Sequence, residues 1–147
     1  MPEIAAILID PTRPDRSGAT RINTTLEHLR HHVGGDIETV YGYRRPDNTE
    51  TEAPRVTFIC NENGKCLLDD HGRPTRLALN AHATGLYWHY NALVFGEDVF
   101  VGTVLVFGGI DDDGEMLPVP QDVVDVHTSL VNCTYAEQYS YLATTAH

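Results

Sequence analysis

Apolar residues along the chain fall into short segments of two kinds: continuous or alternating ones, as in strands, and ones at helical spacing. Residues 3–9 form an apolar segment that ends at Asp10 and Pro11, which predicts a buried first strand followed by a turn. Residues 36–43 and 98–107 have the β-branched and aromatic composition of further strands. We expect these segments to share one sheet, with a short additional strand at residues 116–119.

Three segments have the spacing and end signals of helices. Residues 24–27 have the spacing of a capping box, and Gly34 ends the first helix. The second helix is predicted to run from Asn80, its N-cap, to Tyr90, and the third to begin near Pro120. The predicted inward stripes are Ile22, Leu26, Leu29 and Val33 in the first helix, and Val123, Val126 and Leu130 in the third.

A third local signal predicts a hairpin in the middle of the chain. Residues 56–62 and 65–68 flank an Asn-Gly pair at 63–64, and Asn-Gly favours a two-residue hairpin turn because both turn positions need positive φ. In that register Cys60 and Cys66 do not face each other, so a disulfide between them is disfavoured.

The length of 147 residues suits one domain with one core. We predict an α+β fold over residues 1–147, with a small, mostly antiparallel sheet and about three helices. Residues 131–147 form a Tyr-rich C-terminal tail that we expect to dock separately, on the domain or on a neighbour. No segment has the length of a membrane span, and the N-terminal residues lack the basic start of a signal peptide, so we expect a cytoplasmic protein without membrane contact.

The charge is strongly negative, with 21 acidic against 10 basic side chains and a formal net charge of -11. Such a chain repels polyphosphate, which argues against direct nucleic-acid binding. Nine of the basic residues are Arg and Lys65 is the single lysine. Arginine can bind anions locally, so a small anionic ligand remains an option.

The chemistry-bearing residues do not form a catalytic or metal-binding motif. His28 and His32 are one helical turn apart, but the glutamate of His-Glu-x-x-His is missing and no third ligand can be named. In residues 111–115, Gly114 comes too early for a calcium loop. Phosphate-binding glycine motifs and Gly-x-Ser-x-Gly do not occur. We therefore assign no catalytic residue, no metal and no cofactor.

Several short motifs occur in a fixed order over most of the chain. They are Ile7-Leu8-Ile9, Leu26-Glu27-His28-Leu29, Val33-Gly34-Gly35, Asn61-Glu62-Asn63-Gly64-Lys65, Asn80 with Ala83-Thr84-Gly85-Leu86, Val101-Gly102-Thr103, Phe107-Gly108-Gly109 and Asp113-Gly114-Glu115. Together they resemble a family of small proteins from phages, mobile elements and high-GC bacteria, known as domain of unknown function 3846. The segments 44–54 and 69–79 depart from its usual pattern. The resemblance implies an α+β fold and a mobile-element setting, and it carries no activity or catalytic residue.

The second helix is the predicted place of recognition, because it is apolar on two sides. One face, with Ala83, Leu86, Tyr87 and Tyr90, suits the core. The other needs a cover, which is the chain itself, a ligand, a partner or a second copy in a homo-oligomer. The candidate ligand-binding residues, which would suit a planar anionic ligand such as a nucleotide, are Asn61, Arg76, Asn80, Thr84 and Trp88.

The alternative for two of these residues is structural, with Asn80 as a helix cap and Asn61 as a brace of the hairpin. The leading functional hypothesis is a non-enzymatic accessory protein of a phage or mobile element that sequesters a nucleotide-like signal or a host defence factor. The alternatives are an acidic protein–protein inhibitor that partly imitates nucleic acid, and a small nucleotide-processing hydrolase.

Overall fold

A computed structural model describes residues 3–43, 53–91 and 96–132 of the chain. These residues form three helices and seven strands. The helices are α1 (Leu26–Val33), α2 (Ala81–Tyr90) and α3 (Gln121–Val131). The strands are β1 (Glu3–Ile9), β2 (Thr20–Asn23), β3 (Ile37–Gly42), β4 (Val56–Asn61), β5 (Leu67–Leu68), β6 (Pro74–Thr75) and β7 (Val104–Phe107).

Five of the strands form one antiparallel sheet in the order β2-β1-β7-β4-β3, and β5 pairs with β6 in a separate two-stranded sheet. Strand β7 lies at the centre, with Val106 opposite Ile7 of β1 on one side and opposite Phe58 of β4 on the other. The predicted α+β domain with a small antiparallel sheet and three helices is confirmed.

Alternation along the central strands divides the core into two layers. The face that carries Ile7, Phe58 and Val106 packs against α2 and α3, because side chains of one parity point to one side of a sheet. The opposite face, with Ile59 and Leu105, packs against Leu29 and Val33 of α1. Strands β4 and β7 are buried on both faces, in keeping with the wholly apolar sequence of β7 and with a sequence of β4 that is apolar except at Thr57 and Asn61.

Two of the predicted helix starts are confirmed in detail. Asn80 caps α2 by accepting a hydrogen bond from the backbone N–H of Ala83 at 3.1 Å. Pro120 precedes α3 as its N-cap residue, and Val123 and Leu130 are fully buried in the core.

The first helix was predicted to start near Thr24, and its start lies one residue later. Helix α1 has Thr25 as its N-cap residue, without a capping bond from its side chain. The Thr25 hydroxyl instead lies 2.7 Å from Nδ1 of His28. Ile22, assigned to the helical stripe, belongs to β2 and is buried in the layer beneath α1.

The Asn-Gly hairpin was also wrong. Strand β4 pairs with β3 and β7, and Leu67 and Leu68 pair with β6. Gly64 does not adopt positive φ, and a Cβ there would lie 3.1 Å from Val101 and 3.2 Å from Leu77. Tertiary packing of this turn, together with the pairing of β4 on both of its edges, outweighs the local hairpin preference.

The last predicted strands are shorter than expected. Residues 98–103 precede β7 as an irregular segment in which Gly102 has φ +72°, a left-handed conformation that ends strand geometry. Of residues 116–119, only Met116 makes a bridge, to Ile110. The tail from residue 133 onward lies outside the described residues.

Candidate functional site

A polar cleft opens where β3, β4 and the segment before β7 meet. Glu38 of β3 lies opposite Cys60 of β4 in the sheet register, so both side chains face the α2 side. The Sγ of Cys60 lies 3.8 Å from the carbonyl oxygen of Glu38. The wall and rim of the cleft are formed by Glu38, Val40, Cys60, Asn61, Glu62, Lys65, Asp98, Phe100 and Val101.

Lys65 and Asp98 form an ion pair at the rim of the cleft, with 2.6 Å between Nζ and Oδ1. Asp98 is fixed in position from two directions. Its carboxylate accepts the backbone N–H of Val99 at 2.9 Å, and its carbonyl oxygen accepts the indole N–H of Trp88 at 2.6 Å. Helix α2 therefore holds one of the charged groups of the cleft in place.

Among the described residues, the lining carries three carboxylates, from Glu38, Glu62 and Asp98, against one ammonium group, that of Lys65. Burial is the largest cause that raises the pKa of the Cys60 thiol to about 12; the Glu38 and Asp98 carboxylates contribute to this rise, and Lys65 opposes it. The thiol is thus protonated near neutral pH and is not an activated nucleophile. Burial, followed by the same two carboxylates, also raises the pKa of Tyr87 on α2.

The cleft is narrow, with a volume of about 120 Å³. Sites that enclose whole drug-sized ligands measure roughly 300–1,000 Å³. Two larger depressions, of about 350 Å³ beside Thr24 and Met116 and about 300 Å³ beside His32 and Leu77, are more open to solvent. The cleft is therefore sized for a side chain, and it has the densest charge of the three.

Two of the predicted ligand-binding residues use their polar atoms inside the fold. Asn80 is 1% exposed, and its amide donates to the carbonyl oxygens of Ile9 and Gly102 at 2.9 and 2.8 Å while its oxygen caps α2. The hydroxyl of Thr84 accepts the backbone N–H of Phe100 at 2.8 Å. Both side chains join α2 to neighbouring segments, as the structural alternative for Asn80 anticipated.

The other three predicted residues lie at different distances from the cleft. Asn61 borders it, although its amide donates to the carbonyl oxygen of Val33 at 3.2 Å and so braces α1. Trp88 acts on it indirectly, through Asp98. Arg76 is exposed and does not line the described cleft. The five residues do not converge on one cavity, and their role in binding a ligand stays a prediction.

The second face of α2, for which the sequence left open a cover by the chain itself or by another molecule, is largely covered by the chain itself. Thr84 is buried under Phe100, and half-buried Trp88 is bonded to the neighbouring Asp98. The residues that sequence reasoning missed are Glu38 and Asp98. No local motif marks them, because they meet only through the pairing of β3 with β4 and the path of residues 98–101.

The histidine pair of α1 does not gather a metal site. His28 contacts Thr25, and His32 borders the open depression near Leu77. Among residues 3–43, 53–91 and 96–132, no group of three or more His, Cys, Asp or Glu side chains could hold a metal ion. Within the same ranges, every helix is too short or too polar to cross a bilayer.

Comparison with known proteins identifies the family. No curated protein and no solved structure matches the chain. A family model described as Domain of unknown function (DUF3846) matches residues 4–139, which is most of the chain. The order of motifs along the sequence and this match agree, and the chain belongs to the DUF3846 family.

Proposed function

We propose that this protein acts by binding another protein, and that the partner inserts a basic side chain, most favourably arginine, into the cleft between β3, β4 and Asp98. The observation that carries the proposal is the excess of carboxylates in a cleft of side-chain size. This corresponds to the acidic protein–protein inhibitor among the hypotheses from sequence.

Charge supports a cationic occupant. In the described part of the lining, the three carboxylates of Glu38, Glu62 and Asp98 outnumber one cation, Lys65, and the whole chain carries a net charge of -11. A phosphate in this cleft would meet like charges at close range, whereas a guanidinium group can form paired hydrogen bonds with a carboxylate. The same field would steer a basic protein surface toward the cleft and speed association.

Shape supports the same occupant. Val40, Phe100 and Val101 give the cleft apolar surface beneath its charged rim. An arginine side chain is complementary to this surface, because its aliphatic stem can pack on the apolar residues while its charged end stays at the rim. A volume of about 120 Å³ is small for a whole nucleotide, which weakens the hypothesis that the protein sequesters a nucleotide-like signal.

Binding, rather than catalysis, is supported by the protonated thiol of Cys60 and by the lack of a histidine among the described lining residues. In the phage or mobile-element setting implied by the family resemblance, a cytoplasmic host defence protein is the partner class we propose.

The test is a titration with the tripeptide Gly-Arg-Gly, blocked at both ends, at low ionic strength. Trp88 is the single tryptophan, and its indole N–H is bonded to Asp98, so its NMR resonance reports on the cleft. We expect this resonance to shift in a saturable way that weakens as salt rises, because the charges at the rim are exposed. Blocked Gly-Glu-Gly and AMP should leave it unchanged.

Two variants with the same loss of charge locate the site. Asp98→Asn retains an oxygen that can accept the Val99 N–H, and it should weaken binding by up to about fivefold, which corresponds to the roughly 1 kcal/mol at the upper end for exposed ion pairs. Asp36→Asn lies outside the cleft lining and should bind like the wild type. A saturable response to AMP in place of Gly-Arg-Gly would overturn the proposal in favour of the nucleotide hypothesis.

A further inference from the structure

We propose that Lys65 is an internal competitor that occupies the cleft in place of the partner's basic side chain, so that binding requires its displacement. The inference rests on the proposed function and adds a means of control to the same site. Its starting point is the position of the chain's single lysine, whose ammonium group lies 2.6 Å from the Asp98 carboxylate at the rim.

The ion pair between Lys65 and Asp98 is weak enough for a partner's side chain to displace Lys65. The two side chains are 53% and 50% exposed. An ion pair in contact with solvent gains little, because water screens the attraction and the long side chain loses freedom. A guanidinium group presents several donors in a planar fork and can replace the single contact of an ammonium group.

The backbone around Lys65 is held, so displacement requires rotation of the side chain alone. The N–H of Cys66 is bonded to the carbonyl oxygen of Asn63 at 3.0 Å, and the carbonyl oxygen of Gly64 accepts the N–H of Leu77 at 2.8 Å. Gly64 is itself buried beside Val101. The four-carbon stem of lysine can swing into solvent while this turn stays in place.

It follows that the charge of Lys65 sets the affinity of the cleft. Acetylation would remove that charge and would free Asp98 for a partner. Arginine at position 65 would retain the positive charge that pairs with Asp98. The cleft thus has a closed state, paired within the chain, and an open state that exposes all three carboxylates.

The experiment measures the affinity of blocked Gly-Arg-Gly for four proteins by the Trp88 indole resonance. We expect Lys65→Met to bind about two- to fivefold more tightly than the wild type, the gain expected from loss of a solvent-exposed ion pair. Lys65→Arg should bind no more tightly than the wild type. The matched control is Arg30→Met, which removes a positive charge from the exposed pair of Arg30 and Asp36 outside the cleft, where the charged atoms are 3.4 Å apart. It should bind like the wild type.

Each result decides between the two ideas. If the wild type binds the peptide and Lys65→Met binds equally or more weakly, Lys65 is not a competitor and the proposed function stands. An equal gain in affinity in Arg30→Met would also overturn the proposed role of Lys65, because it would show that net charge alone sets the affinity. If neither the wild type nor Lys65→Met binds, both proposals fail. Binding that is measurable only in Lys65→Met would support both.

Discussion

His127 gives the fold a pH dependence that can be measured. The side chain lies on α3, is fully buried, and faces α2, where the ring centroid of His82 is 6.3 Å away. Neither ring nitrogen of His127 has a hydrogen-bond partner among the described residues. Burial, followed by the charge of His82 when protonated, lowers the pKa of His127 from 6.5 to about 4.

The sign of the effect follows from this direction. The unfolded chain binds the proton more tightly than the folded chain, so protonation favours unfolding. The contribution of neutral His127 to stability is complete above about pH 6.5, declines as the pH falls from 6.5 to about 4, and is constant below that. At about 1.4 kcal/mol for each pH unit, the full loss is about 3 kcal/mol.

The perturbation is His127→Leu, which removes the titrating ring from a fully buried position. Urea unfolding of both proteins at pH values from 7.5 to 4.5 gives the free energy of unfolding of each. We expect the wild type to lose about 2–3 kcal/mol more than the variant over this range. Comparison of slopes cancels any difference in stability that the substitution causes at neutral pH.

The matched control is His71→Leu, at an exposed position in the turn between β5 and β6. Its stability should follow the wild-type pH dependence. Parallel curves for wild type and His127→Leu would refute the reasoning, because they would show that His127 binds its proton equally well in the folded and unfolded chain.

Two further predictions concern buried groups. Asn80→Ala should lower the free energy of unfolding by about 2–4 kcal/mol in urea, because it removes the cap of α2 and leaves the carbonyl oxygens of Ile9 and Gly102 without their donor; a loss below about 1 kcal/mol would contradict this. In a Cys133→Ser background, iodoacetamide at pH 8 should modify exposed Cys66 at least tenfold faster than Cys60, which is 6% exposed with a pKa of about 12. Equal rates, measured by mass spectrometry of peptides, would show that Cys60 is accessible.

The sequence predicted those parts of the fold whose signals are local. Asn80 could be assigned as a cap because a side chain three residues before an unpaired N–H has one obvious use. The first strand followed from continuous apolar character bounded by a turn. The Asn-Gly pair failed as a hairpin signal because its preference is worth less than the pairing of β4 on both edges, which depends on segments far away in the chain.

The candidate site was predictable only in fragments. Asn61 and Trp88 were selected for direct contact with a ligand, whereas in the structure one borders the cleft and the other holds Asp98. Glu38 and Asp98 look like ordinary surface carboxylates in the sequence. Their common location depends on the register of β3 with β4 and on where residues 98–101 cross α2. Both are features of the tertiary structure that no local sequence pattern encodes.

The central position of β7 in the sheet affects how the chain folds during its synthesis. Strands β1 and β2 form one ribbon and β3 and β4 another, and β7 joins them although Ile7 and Val106 are about 100 positions apart. Until β7 has been synthesised, each ribbon has an apolar edge with no neighbour, the kind of surface through which nascent chains aggregate. Folding must therefore finish late in synthesis and wait for a long loop to close, so the incomplete polypeptide has most need of a chaperone before β7 is inserted.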